Sequence, residues 1–96
     1  MNIQLRSVLD IAGVLGGYIH TLGVDEGIDV EGLLSALLAT HGDRLEKLLL
    51  DSRSPMELAP NVRVYVNGRS IDFLHGYHTV LLEGDDVLIM PQLSGG

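Results

Sequence analysis

The chain has no cysteine, no tryptophan and a single lysine, Lys47, and its aromatic content is three tyrosines and one phenylalanine in 96 residues. Without cysteine there is no disulfide, no thiolate nucleophile and no cysteine-rich metal site, and compartment is left open on that count. With so few aromatics, Leu, Val and Ile must build nearly all of the core, which is packing material and not the lining of a cofactor pocket. Positive charge is also scarce. Six Lys and Arg against thirteen Asp and Glu give a formal net charge of -7, which argues against the phosphate backbone of nucleic acid and against an anionic membrane. A basic protein partner is the better expectation. No apolar run reaches the length of a membrane span, and "MNIQLRSV" lacks the pattern of a signal peptide. A cytoplasmic protein is expected. The length suits one small domain with a single core.

What is present reads as alternating strands and helices. "NIQLRSV" sets Ile3 and Leu5 against Gln4 and Arg6, the period of a half-buried strand. "LDIAGVLGG" breaks that period and predicts a short helical turn or a wide connection, after which "YIHTLGV" returns as a second strand. Asp29 stands ready to cap a helix whose apolar residues Val30, Leu33, Leu34, Leu37 and Leu38 fall at helical spacing. Gly42 suits the end of that helix, and Asp43 with Glu46 resembles a capping box opening a second one through "RLEKLLL". "DSRSPMELAPN" carries two prolines and reads as a loop. "VRVYVNG" is a clear strand with an Asn67-Gly68 hairpin signal, and "RSIDF" is its short partner. "VLIM" has no alternation, which predicts a strand covered on both sides or central in its sheet. The main helix is expected to pack on Ile3, Leu5, Val64, Val66 and Leu88.

The candidates for autonomous chemistry are thin. His75 and His78 stand as H-x-x-H near Asp72, but two imidazoles and one acid without a fourth ligand make a weak zinc signal. His20 and His41 are isolated. Gly16-Gly17 and Asn67-Gly68 lack the lysine and hydroxyl residue of a phosphate loop, and no serine sits in a nucleophile elbow. The acid pair Asp85-Asp86 lies in a turn, where solvation explains it. No metal site and no enzyme active site is expected.

The end of the chain is more informative. Pro91 cannot donate a backbone hydrogen bond and biases Met90 to an extended conformation, so the last strand should end there. Residues 1–90 are then the domain, and residues 91–96, "PQLSGG", a flexible tail. Gly95 and Gly96 can enter a slot too narrow for any Cβ, and they offer a carboxylate with no steric guard.

Taken together, "VRVYVNG", "TVLLEGDDVLIMP" and the closing "SGG" resemble the MoaD/ThiS family of ubiquitin-like sulfur carrier proteins, most closely the small subunit of molybdopterin synthase. "VDEGIDVEGLLSAL" is similar to the segment that opens the family's helix. Departures are Gln92 in place of a second proline, no Arg-Glu after the first strand, and Val80 and Leu82 where Pro and Lys are common. The resemblance implies an α+β fold of the β-grasp type, a mixed sheet of about four to five strands curled around one main helix. It implies that Gly96 is adenylated and converted to a thiocarboxylate, while Gly95, Ser94 and Leu93 thread a partner's channel. It further implies sulfur donation in molybdopterin biosynthesis, with a lysine-conjugated modifier and a plain interaction domain as the alternatives. It implies that the chain itself binds no cofactor, ATP and Mg belonging to the activating partner. The implied partners, of the MoaE/ThiF/MoeB types, are an E1-like adenylating enzyme, the molybdopterin synthase large subunit and a sulfur donor. The sheet surface near Arg63, Tyr65 and the last strand is the expected docking face.

Overall fold

The computed structural model describes residues 1–51, 54–60 and 62–91. A five-stranded mixed sheet carries the molecule, and helices cover one of its faces. In chain order the elements are β1 (Asn2–Ser7), α1 (Leu9–Leu15), β2 (Ile19–Gly23), α2 (Val30–His41), α3 (Asp43–Leu49), β3 (Leu50–Asp51), β4 (Ser54–Leu58), β5 (Val62–Val66), β6 (Arg69–Ser70) and β7 (Asp86–Pro91). Two short 3-10 turns, Ile71–Phe73 and Gly76–His78, lie between β6 and β7. The sheet order is β2-β1-β7-β5-β6. β1 and β7 are parallel and the other neighbours antiparallel, so β7 is the central strand. This is a β-grasp arrangement.

Local chemistry accounts for most element ends. Asp29 caps α2, its Oδ1 accepting from the Gly32 amide at 2.8 Å, which satisfies one of the donors a helix start leaves free. The Asn67-Gly68 turn has φ of 51° and 83°, the left-handed pair that a tight hairpin requires. The asparagine side chain also ties the turn to β7: Asn67 Nδ2 donates to Asp85 Oδ1 at 3.0 Å, and the Asp86 amide donates to Asn67 Oδ1 at 2.9 Å. The segment after β1 is a true helix, closed at Gly16 with φ 89°.

The core lies between the sheet's inner face and the three helices. Ile3 and Leu5 of β1, Val62, Val64 and Val66 of β5, and Val87 and Ile89 of β7 meet Val30, Leu33, Leu34 and Leu37 of α2. Ile11 and Leu15 of α1 and Leu45 and Leu49 of α3 close its sides.

Several expectations need correction. Leu88 is not a core residue: between buried Val87 and Ile89, the pleat turns it to the outer face, where it is half-buried. Leu38, likewise, is only partly buried against the core. The proline-containing stretch is not all loop, because β3 and β4 pair there as an antiparallel ribbon with a register shift. Proline is tolerated in such a ribbon since both of its strands are edges. The ribbon is anchored by the Ala59 amide donating to Leu49 O at 2.7 Å and the Leu58 amide donating to Tyr77 Oη at 2.9 Å. Asp43 does not cap α3. Gly42 is at once the end of α2 and the start of α3, and no side chain caps the second helix. The partner strand of the N-G hairpin is only two residues, Arg69–Ser70, and Ile71 already begins a 3-10 turn. Finally, β7 runs one residue past Met90, with Pro91 opposite Val62.

Candidate functional site

The sheet's outer face and the root of the tail form one continuous region. β7 receives β1 on one side and β5 on the other, so its direction is set by two ladders and its last residue, Pro91, leaves from the middle of the sheet. Gly96, Gly95, Ser94 and Leu93 lie outside the described residues. Five positions separate Pro91 from Gly96, and a chain of that length spans at most about 17 Å when extended.

On the outer face the register aligns a transverse row. Arg6 is opposite Ile19 on one side and Leu88 on the other, and Leu88 is opposite Tyr65, which pairs with Ser70. Met90 stands opposite Arg63 one step closer to the tail. Tyr65 is half-buried in this row and Arg63 is exposed. The Arg63 guanidinium is not spread across the strand: its Nη1 donates to Pro60 O at 2.7 Å and to Val62 O at 3.2 Å, which fixes it beside the start of β5. Arg6 is held by Asp86, and this contact raises its pKa above the ordinary arginine value, through the hydrogen bond first and the opposite charge second.

Sequence reasoning missed the apolar end of this face. Ile19 is 60% exposed, Tyr18 67% and Leu9 56%; Ile19 ends the row on the β2 side, opposite Arg6, while Leu9 and Tyr18 line one shallow hollow beside α1. The available signal was an apolar residue on the solvent phase of a strand. Leu9 has φ 55°, a region that costs a branched L-residue steric strain, and it opens α1 with its side chain largely in water.

The histidines do not assemble a site. His78 Nδ1 stands 3.7 Å from Asp29 Oδ2, while the His75 amide donates to Thr79 Oγ1. Among the described residues, no group of three or more His, Asp or Glu is placed to hold a metal ion, and no helix is long and apolar enough to cross a membrane.

Sheet order, helix placement and strand register together define a ubiquitin-like β-grasp protein. The crystal structure of SAMP1 from Haloferax volcanii superposes with a TM-score of 0.80 over 100% of both chains at 25% identity. Residues 14–96 match the ThiS family, and the chain belongs to that family. Small archaeal modifier protein 3 of Haloferax volcanii is 31% identical over 96 residues, covering 100% of each chain. Sulfur carrier protein CysO of Mycobacterium tuberculosis is 32% identical over 80 residues, which is 80% of this chain and 86% of that protein.

Proposed function

We propose that this chain is a sulfur carrier whose working group is the Gly96 carboxylate. A carboxylate is a poor acyl donor because its oxygen is a poor leaving group. An E1-like partner holding Mg-ATP converts it to an acyl-adenylate, and a sulfur donor then displaces AMP to leave a thiocarboxylate. The catalytic groups belong to the partners. Gly95, Ser94 and Leu93 thread the partner's channel, and the outer sheet face with Tyr65, Leu88 and Arg63 supplies affinity that so short a tail cannot.

The observation that carries this reading is the attachment of the di-glycine end to the central strand. β7 is clamped between β1 and β5, so a tail of at most about 17 Å reach starts from a strand held by two ladders. The molybdopterin precursor as sulfur acceptor rests on the sequence resemblance alone, and it is the narrower part of the proposal. A second reading has its own support: the full-length similarity to small archaeal modifier protein 3 favours transfer of the same Gly96 adenylate to a lysine amine.

Intact-mass measurement separates the readings. With an E1-like enzyme, Mg-ATP and a sulfur donor, the carrier gains one oxygen-for-sulfur exchange on its C-terminal peptide. A modifier instead appears as an isopeptide branch on other proteins. A chain that stays at its encoded mass in both assays overturns the proposal.

A further inference from the structure

The pole of the sheet opposite the tail carries a second surface. The run from Thr79 to Glu83 alternates: Thr79 is 7% and Leu81 0% exposed, whereas Val80 is 54% and Leu82 66% exposed. The backbone locks this phase. The Val30 amide donates to Thr79 O at 3.0 Å, the Leu81 amide donates to Ile28 O at 2.9 Å, and Asp29 and Val80 form a bridge. Rolling the run over to hide Val80 and Leu82 would expose Leu81 and break these bonds.

The neighbouring segments are just as fixed. The Met1 ammonium donates to Val24 O at 2.9 Å and the Val24 amide to Met1 O at 2.8 Å. The Gly84 amide donates to Asn2 O at 2.8 Å, and the Asn2 amide to Glu83 Oε2 at 2.5 Å. Between them lies an open groove of ≈ 480 Å³ lined by Met1, Glu26, Gly27, Val80, Leu82 and Glu83. Its charged side chains are both acids. The one positive group among the lining residues is the Met1 ammonium, already turned to Val24 O.

We propose that this groove docks a partner segment in which one or two aliphatic side chains are flanked by lysine or arginine. The aliphatic residues cover Val80 and Leu82, and the cations meet Glu26 and Glu83. A second copy of this chain is the wrong occupant, since a two-fold pairing would set the same acids against each other on a protein of net charge -7. An anionic membrane is disfavoured by the same charge. The surface differs from the tail-side face in its use: β7 begins at Asp86 near the groove and ends at Pro91, about 17 Å away at the rise of a strand. A partner seated in the groove therefore leaves the outgoing tail uncovered.

The test is a titration of the full-length, nitrogen-15-labelled protein with the acetylated peptide Lys-Leu-Arg-Leu-Lys and with its charge-reversed counterpart Glu-Leu-Glu-Leu-Glu. The basic peptide should shift amides at Glu26, Gly27 and 80–83, and added salt should weaken it. Combined Val80→Ser and Leu82→Ser should lower affinity at least about tenfold, and Glu26→Lys should lower it with both aliphatic residues intact. Both substituted sites are exposed, and an unchanged spectrum of the remaining amides confirms the fold. Equal binding of the acidic peptide, shifts centred elsewhere, no binding, or an unaffected double variant overturns the proposal. So does concentration-dependent dimerisation that the double variant abolishes, or binding to anionic vesicles through this groove.

Discussion

Arg6 of β1 and Asp86 of β7 join the two parallel strands by a two-pronged contact, Nε to Oδ1 at 2.8 Å and Nη2 to Oδ2 at 2.6 Å. The pair bridges residues 80 positions apart in sequence. It lies on the outer face, next to the Leu88 and Tyr65 row. Because the arginine's pKa is raised, its share of the stabilisation is complete below the ordinary arginine value and is lost only as pH climbs through the still higher folded value. The difference in melting temperature between wild type and Arg6→Met should therefore be the same at about pH 6 and about pH 10. Arg6→Lys should not restore it, since one ammonium cannot reproduce a planar two-point contact. A difference that vanishes at the higher pH would contradict this account.

The interior is more sensitive. Leu37 sits on the buried face of α2 at 6% exposure, and Leu37→Ala should cost about 2–5 kcal/mol through lost burial and the cavity left behind. For a domain of this size that is a large share of the total. Urea unfolding followed by circular dichroism reads it, and an unchanged midpoint would contradict the packing of α2 on the sheet.

Gly42 offers a sharper test of backbone geometry. Its φ of 65° and ψ of -145° belong to a region that essentially only glycine enters. Its amide donates to Leu38 O at 2.8 Å while its carbonyl accepts from Leu45 at 3.2 Å and Glu46 at 3.1 Å. One residue thus stops α2 and starts α3. Gly42→Ala should lose about 1–3 kcal/mol although a Cβ there meets no atom within 4 Å. If the loss were absent, the junction would have another conformation.

Docking and chemistry should separate by mutation. If the sheet face supplies the affinity as proposed, deleting Gly95 and Gly96 should leave binding to the activating enzyme within about twofold. Ile19→Ser with Tyr65→Ser should weaken binding at least about tenfold while the tail remains intact. Calorimetry measures both. Appending one residue after Gly96, or introducing Gly95→Val, should stop adenylation through misplacement or blockage, with pyrophosphate release as the readout.

The features of this fold that were legible in the sequence are those encoded by neighbours in the chain. Asp29 announced α2 because its side chain reaches an amide three residues on, and Asn67-Gly68 announced a hairpin because the turn itself demands left-handed residues. The phase of β7 was not legible: Val-Leu-Ile-Met is apolar throughout, and only register against β1 and β5 decides that Val87 and Ile89 go inward and Leu88 outward. The β3–β4 ribbon was hidden by Pro55 within β4 and Pro60 just after it, which signal irregularity without showing that a two-stranded ribbon tolerates it. Asp43 and Glu46 matched a cap pattern that Gly42 pre-empted by taking the capping position itself. At the candidate site, the tail was conspicuous by composition and by resemblance, whereas Ile19 joins the row only through the pairing of β1 with β2, and Leu9 meets Tyr18 only in the folded chain.

The parallel pairing of β1 with β7 also decides how the molecule bears load. A pull between Met1 and Pro91 acts along both strands in opposite directions, so the hydrogen bonds linking Gln4 to Asp86 through Ser7 to Ile89 are strained in shear and must yield together. Antiparallel strands pulled from a shared end would instead unzip, each bond breaking in turn. Forced opening is governed by the rate of crossing the unfolding barrier, and a ladder loaded in shear keeps that barrier high. A partner that grips the tail and draws it along the strand axis thus pulls on a strand whose parallel ladder to β1 resists in shear.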